Sequence, residues 1–197
     1  MLGALLMAVA GLAQADTLTG VLPATPGGTN YQAYYDATTN LTWLANANMN
    51  GLMDWSAANS WAAGLDINGV TGWTLPTTAD TSCVGFCTGS EMGYLFYDVL
   101  GGTPDSSLSN TGPFSNVQSS VYWSATEYAP FTYDAWLFDF YDGFQGSVYK
   151  TDGLYAWAVH AGDVGAPTSA PEPGALALML VGLGLVGFAA RRRLALR

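Results

Sequence analysis

The feature that most constrains the fold lies late in the chain, where apolar residues alternate with polar ones at a period of two. Val121, Trp123 and Ala125 alternate with Tyr122, Ser124 and Thr126, and Trp136, Phe138 and Phe140 alternate with Leu137, Asp139 and Tyr141. Successive side chains of a strand point to opposite faces, so this pattern predicts β-strands. Asp142-Gly143 and Asp152-Gly153 separate the apolar runs, and Asp-Gly suits the positive φ values of a two-residue type I′ hairpin turn. The spacing therefore predicts an antiparallel meander over about Asp134 to His160. Its last strand would carry Leu154, Ala156 and Ala158 on one face and Tyr155, Trp157 and Val159 on the other.

Earlier segments read differently. "YQAYYD" and "LTWLAN" predict a hairpin turning at Ala37 to Asn40. Asp54 can cap a helix to about Leu65, with Trp55, Ala58, Ala62 and Leu65 on one face. Ser90 caps a second helix: Glu91 complements its dipole, Met92, Leu95, Phe96 and Val99 form its apolar stripe, and Gly101-Gly102 ends it. Gly101 to Ser120 has loop composition. Two helices followed by antiparallel strands predict an α+β domain. Seven Trp, eleven Tyr and eight Phe supply its core, and Trp43, Trp61, Trp73, Trp123, Trp136 and Trp157 are expected there.

Charge limits the partners. Of fifteen carboxylates only Glu172 lies beyond Ala170, whereas Arg191, Arg192, Arg193 and Arg197 leave Lys150 as the lone Lys or Arg before the tail. Such a body repels phosphate backbones, which excludes nucleic acid as a partner. At the start, the apolar run Leu2 to Ala13 and the small-x-small Ala13-Gln14-Ala15 read as a signal peptide over residues 1–15. Export favours a local disulfide between Cys83 and Cys87 in "SCVGFCTG". After Asp163, residues 164–170 have linker composition. Then follow Pro171-Glu172-Pro173, the uncharged Gly174 to Ala190, and Arg191-Arg192-Arg193. Those seventeen residues would make about 25 Å of helix, which could only just cross a hydrocarbon core of about 30 Å and so suits a transient handle better than a lasting anchor. With the positive cluster inside, the body lies outside.

Two resemblances follow. The triplet, apolar segment and arginine cluster, residues 171–194, resemble the PEP-CTERM sorting signal of Gram-negative bacteria that make exopolysaccharide. The resemblance implies processing by an exosortase, an inner-membrane intermediate held by the C-terminal transmembrane helix, and delivery to the cell surface or biofilm matrix. The body, residues 16–163, resembles the Lcl C-terminal-like domain through Tyr35-Asp36, Leu41-Thr42-Trp43-Leu44, Met53-Asp54-Trp55, Gly72-Trp73-Thr74-Leu75-Pro76-Thr77, Gly89-Ser90-Glu91-Met92, Tyr122-Trp123-Ser124 and Tyr155-Ala156-Trp157-Ala158-Val159. That resemblance implies a C-type-lectin-like fold related to formylglycine-generating enzyme. The family pattern has Arg where Thr74 stands and often where His160 stands, so no role of those arginines carries over.

The chemistry expected is binding rather than catalysis, with no catalytic residue and no cofactor. His160, the single histidine, lacks a Gly-x-Ser-x-Gly elbow to serve. Formylglycine chemistry needs cysteines placed otherwise. Glu127, Asp134, Asp139 and Asp142 are the acids from which a glycoside hydrolase pair would be drawn, and a secreted glycoside-active enzyme is the alternative reading. A structural calcium ion is compatible with the acidity; "DINGVT" at Asp66 shares Asp, Asn and Gly with an EF-hand loop but lacks its closing Glu, and no metal ligand is assigned. The binding candidates are Tyr128 and Tyr133, with Phe131 between them, in "EYAPFTYD": sugars lie flat on such rings, and exopolysaccharide is the natural ligand class. A purely structural matrix protein is the third reading.

Overall fold

A computed structural model describes residues 18–166. The chain divides into two units, Met1–Gly165 and Ala166–Arg197, and all that follows concerns the first. The signal peptide, the sorting triplet Pro171 to Pro173, the apolar segment and the arginines 191–193 lie outside the described residues.

The elements are β1 (Thr19–Pro23), β2 (Tyr31–Asp36), β3 (Leu41–Leu44), α1 (Trp55–Ala63), α2 (Glu91–Tyr94), β4 (Val121–Glu127), β5 (Asp134–Asp139), β6 (Gln145–Tyr149) and β7 (Val159–Ala161). They form a mixed α+β domain with two antiparallel sheets, ordered β1-β2-β3-β7 and β4-β5-β6. The β2–β3 hairpin turns where expected: the buried Asp36 carboxylate accepts from the Thr38 amide at 2.9 Å and the Thr39 hydroxyl at 2.6 Å, and Asn40 takes φ 56°.

Both helices start at their expected caps. Asp54 Oδ1 accepts from the Ala57 amide at 2.8 Å, and the small Ala58 and Ala62 form the buried face of α1. Ser90 Oγ accepts from the Gly93 amide at 3.0 Å. The second helix does not continue as a regular α-helix, however. From Leu95 to Val99 it is a π-turn closed by the Leu100 amide on the Leu95 carbonyl, five residues back, at 2.9 Å. The wider turn sets the consecutive rings of Phe96 and Tyr97 both against Phe138, with centroids 5.5 and 6.3 Å away. A period-3.6 stripe has no way to encode that.

The meander is shorter than the sequence pattern predicts. β4, β5 and β6 form it, but after Tyr149 the chain leaves the sheet. Leu154 bridges to Met53, Tyr155 runs parallel to Tyr122, and Val159–Ala161 pairs with Leu41–Trp43 as β7 of the other sheet. Leu154 and the run Ala156 to Val159 are buried whichever way they point. An inter-sheet position explains this, since neither face of the segment meets water. Neither Asp-Gly pair forms a type I′ turn: Gly143 has φ 85° but Asp142 is not positive, and neither residue of Asp152-Gly153 is. The type I′ turn occurs instead at Asn68-Gly69, both of positive φ, between Ile67 and Val70, whose amides and carbonyls bond reciprocally at 2.9 and 3.0 Å. The "DINGVT" stretch is thereby explained as a hairpin, with Asp66 Oδ1 accepting from the Gly69 amide.

The core is aromatic and centres on Trp157, whose indole packs edge-on against Trp43 at 5.3 Å and Phe114 at 4.9 Å and lies 5.7 Å from Phe140. Indole N–H groups need acceptors when buried. Trp157 donates to Leu44 O, Trp123 to Met53 O, Trp73 to Val70 O and Trp55 to Ser124 O, at 2.7 to 3.0 Å. Trp61, expected in the core, is only half-buried at the surface of α1. The long segment after Gly101 is pinned to the first sheet, since Phe114 is buried and Ser115 exchanges backbone bonds with Ala45 and Ala47.

Candidate functional site

The site is built where β5 begins and β6 ends. Antiparallel pairing places Asp134 opposite Tyr149, and the loop Tyr128 to Tyr133 folds over that corner through bonds from the Phe131 amide to Tyr128 O and the Asp134 amide to Phe131 O. Three rings consequently line up in solvent. Phe131 and Tyr133 stack at 5.6 Å with an interplanar angle of 29°, and Tyr133 and Tyr149 continue the row at 5.6 Å and 37°. These residues are 52, 56 and 59 % exposed. An exposed row of near-parallel aromatic faces is unusual for a monomer surface, where apolar patches tend to mark binding sites.

Tyr128 stands at the inner end of the row. It is half-buried, lies 6.1 Å from Phe131 with an interplanar angle of 35°, and stands edge-on to Trp136 at 5.0 Å, so it joins the exposed rings to β5. Trp136 is buried to 1 % exposure yet lies outside the main core cluster, and its indole N–H has no acceptor. Two residues earlier on the same face of β5, Asp134 Oδ1 is buried without a donor. Tyr149 was not legible as a site residue, because its ring joins the row only through the β5–β6 register. The signal available was the outward position it takes in a period-two strand.

Lys150, the only Lys or Arg among the described residues, organises this corner. Its ammonium group binds Glu127 Oε2, donates to Thr132 O at 2.7 Å, and sits 4.4 Å from the centre of the Trp55 ring. The Lys150 amide also donates to Tyr133 O at 2.9 Å. One residue thus ties the end of β6 to β4, to the loop beneath Phe131 and Tyr133, and to the first residue of α1. Asp54, Trp55, Ser56, Lys150 and Thr151 line an open hollow of about 450 Å³ beside it.

The remaining candidates fall elsewhere. Cys83 and Cys87 form a disulfide. The loop it closes is docked on β6: Gly85 and Gln145 exchange backbone bonds, and the Gln145 side chain donates to Cys83 O at 2.9 Å. Glu127 and Asp134 lie at one end of β5, Asp139 and Asp142 at the other, separated by a strand about 16 Å long. Asp139 accepts from the Tyr141 amide and Asp142 from the Phe144 amide. Burial pushes the Asp139 carboxyl up, its bond from Tyr141 opposes this, and the charge of Asp142 adds to the rise. Among the described residues no three His, Cys, Asp or Glu side chains gather as a metal site, and no helix is long and apolar enough to cross a membrane. Thr74 and Val159 are bridged, so the two positions where the family pattern has arginine, 74 and 160, are neighbours; His160 packs on Trp73 at 5.6 Å with a buried, unpartnered Nδ1.

Comparison with known families agrees with this geometry in extent. Residues 32–160 match the Lcl C-terminal domain, a span running from β2 into β7. The chain belongs to the Lcl C-terminal domain family. Residues 169–193 match the PEP-CTERM protein-sorting motif. The motif implies that this family member is exported, processed by an exosortase and sorted to the cell surface. No curated protein matches the chain.

Proposed function

We propose that this Lcl-family domain is a non-catalytic, lectin-like glycan-binding or adhesion module, carried to the cell surface or extracellular matrix of a Gram-negative bacterium by its sorting signal. The observation that carries the reading is the stacked, exposed row of Phe131, Tyr133 and Tyr149. Pyranose rings present apolar C–H faces that pack on such surfaces, and a row of rings matches successive sugars of a polymer better than a single pocket does. The C-type-lectin-like relation is supported by two helices beside antiparallel sheets, with the last strand returning to pair with β3 in the N-terminal sheet. In the full chain, residues 1–15 serve as signal peptide, and residues 174–190 as a transient membrane helix removed on processing.

The test is retention of the protein on insoluble polysaccharide. Tyr133→Ala with Tyr149→Ala is expected to abolish retention while leaving the melting temperature within a few degrees of the parent, since both rings are mostly exposed. Equal retention by the double variant refutes the reading. Sorting is checked by intact mass of protein recovered from the native envelope: a chain ending near Pro173 supports processing, and one retaining Arg191 to Arg193 defeats it.

A further inference from the structure

The aromatic row is set among carboxylates. Glu127 ends β4 beside the loop, Asp134 pairs across the sheet with Tyr149, the Asp152 amide donates to Tyr149 O, and Asp54 lies beyond the ring of Trp55 that Lys150 covers. Four acids thus lie on the segments around the row against one lysine, and that lysine is already held by Glu127 and Thr132 O. The imbalance extends over the domain, with thirteen carboxylates from Asp36 to Asp163 against Lys150. A ligand laid along the row meets a negative field with no free lysine or arginine among the described residues to relieve it.

Resting on the glycan reading above, we propose that the row selects amine-bearing glycans, polymers of amino sugars with free ammonium groups, over neutral ones, and turns away uronate or sulfate polymers. The faces of Phe131, Tyr133 and Tyr149 grip the sugar rings whatever their charge; the surrounding acids decide which polymer stays. In water a pair of unit charges about 8 Å apart changes affinity roughly twofold. An oligomer placing several ammonium groups near the row gains about tenfold over its N-acetylated counterpart, and an acidic oligomer loses as much. Screening sets the range: the Debye length is about 8 Å at physiological ionic strength and shrinks toward about 3 Å at 1 M. The preference therefore fades with salt, whereas ring stacking does not.

The experiment is calorimetric titration of the full-length chain, held in a polyoxyethylene detergent without a sugar headgroup, at about pH 6 where the sugar amine is charged. The probes are tetramers of glucosamine, N-acetylglucosamine and galacturonate, each at about 20 mM and about 0.5 M NaCl. The expected result is that glucosamine binds about tenfold tighter than its acetylated counterpart at low salt and within about twofold at high salt, that galacturonate gives no heat at low salt, and that Tyr133→Ala with Tyr149→Ala abolishes binding. Equal affinity for charged and neutral tetramers, or binding of galacturonate at low salt, both lost in the double variant, overturns the charge selection and leaves the glycan reading standing. Glucosamine binding that survives the double variant overturns the row as the site. Absence of heat with every tetramer overturns both.

Discussion

Replacing Lys150 with methionine tests the scaffold beneath the aromatic row. Methionine keeps most of the aliphatic stem but loses the ammonium group, and with it the Glu127 pair, the bond to Thr132 O and the contact with the Trp55 ring. The ion pair alone is worth little, since the Glu127 side chain is 45 % exposed and surface pairs contribute about 0.5 kcal/mol. The charge-assisted bond to a carbonyl and the cation–π contact are each worth about 0.5 to 1.5 kcal/mol, and both involve a lysine side chain only 21 % exposed. The expected loss is about 2 kcal/mol. At roughly 2 to 4 °C per kcal/mol for a domain of this size, the midpoint falls by about 4 to 8 °C. Urea denaturation at low and high salt checks the partition: most of the loss should persist in about 1 M NaCl, because only the exposed pair is strongly screened. Lys150→Arg retains the charge and should recover part of the stability. A loss below about 0.5 kcal/mol, or one that vanishes in salt, refutes the claim that Lys150 organises the corner.

Three further outcomes follow from packing and titration. Burial pushes the Glu91 carboxyl above its ordinary value near 4.5, against an opposing bond from the Thr77 amide. The folded state therefore binds this proton more tightly, its contribution is most favourable below that ordinary value, and it is lost as pH rises through the folded one. Glu91→Gln is expected to lose less stability than the parent as pH rises from the ordinary value near 4.5, and urea midpoints with the same pH dependence in both proteins count against it. The buried Tyr122 hydroxyl accepts from the Gln118 amide at 2.7 Å, and its ionisation is pushed up to about 12, chiefly by burial; Tyr122→Phe should cost about 1 to 2 kcal/mol through the orphaned amide, read by chemical denaturation. Gly143 has φ 85°, and a Cβ there would fall on the Tyr97 hydroxyl, 2.8 Å from Cζ of that ring and 2.9 Å from Phe96 Cε1. Gly143→Ala is accordingly expected to lower stability by more than about 2 kcal/mol, as measured by thermal unfolding.

What was legible in the sequence were the features governed by nearest neighbours. Asp54 and Ser90 cap the helices they were expected to cap, the β2–β3 hairpin turns at Asn40, and β4 and β5 form as strands where the period-two pattern places them. Features decided by distant packing were not. Leu154 to Ala161 has the alternation of a meander strand but is drawn into the space between sheets by Met53, Tyr122 and Leu41, more than thirty residues away. The type I′ signal stood at Asn68-Gly69, in a stretch whose acidic start suggests calcium. For the site, Tyr133 lies in solvent, whereas Tyr128 is half-buried between Trp136 and Phe131, a contact that only the folded loop creates. Tyr149 enters only through strand register, which a one-dimensional pattern leaves open.

The return of β7 to β3 also fixes how the domain bears load. Any pull arriving through the residues that follow Gly165 meets the Gly162 bonds before Ala161 and its partner Leu41: the Thr42 hydroxyl donates to Gly162 O at 2.6 Å and the Gly162 amide to Asn40 O, with the Leu44 amide on Ala158 O beyond. The aromatic row sits on the other sheet, joined to this one through Trp157 and its neighbours. Load applied at the exposed rings would thus pass through the aromatic core before it reached β7, so the two sheets share it through the core rather than through a loop.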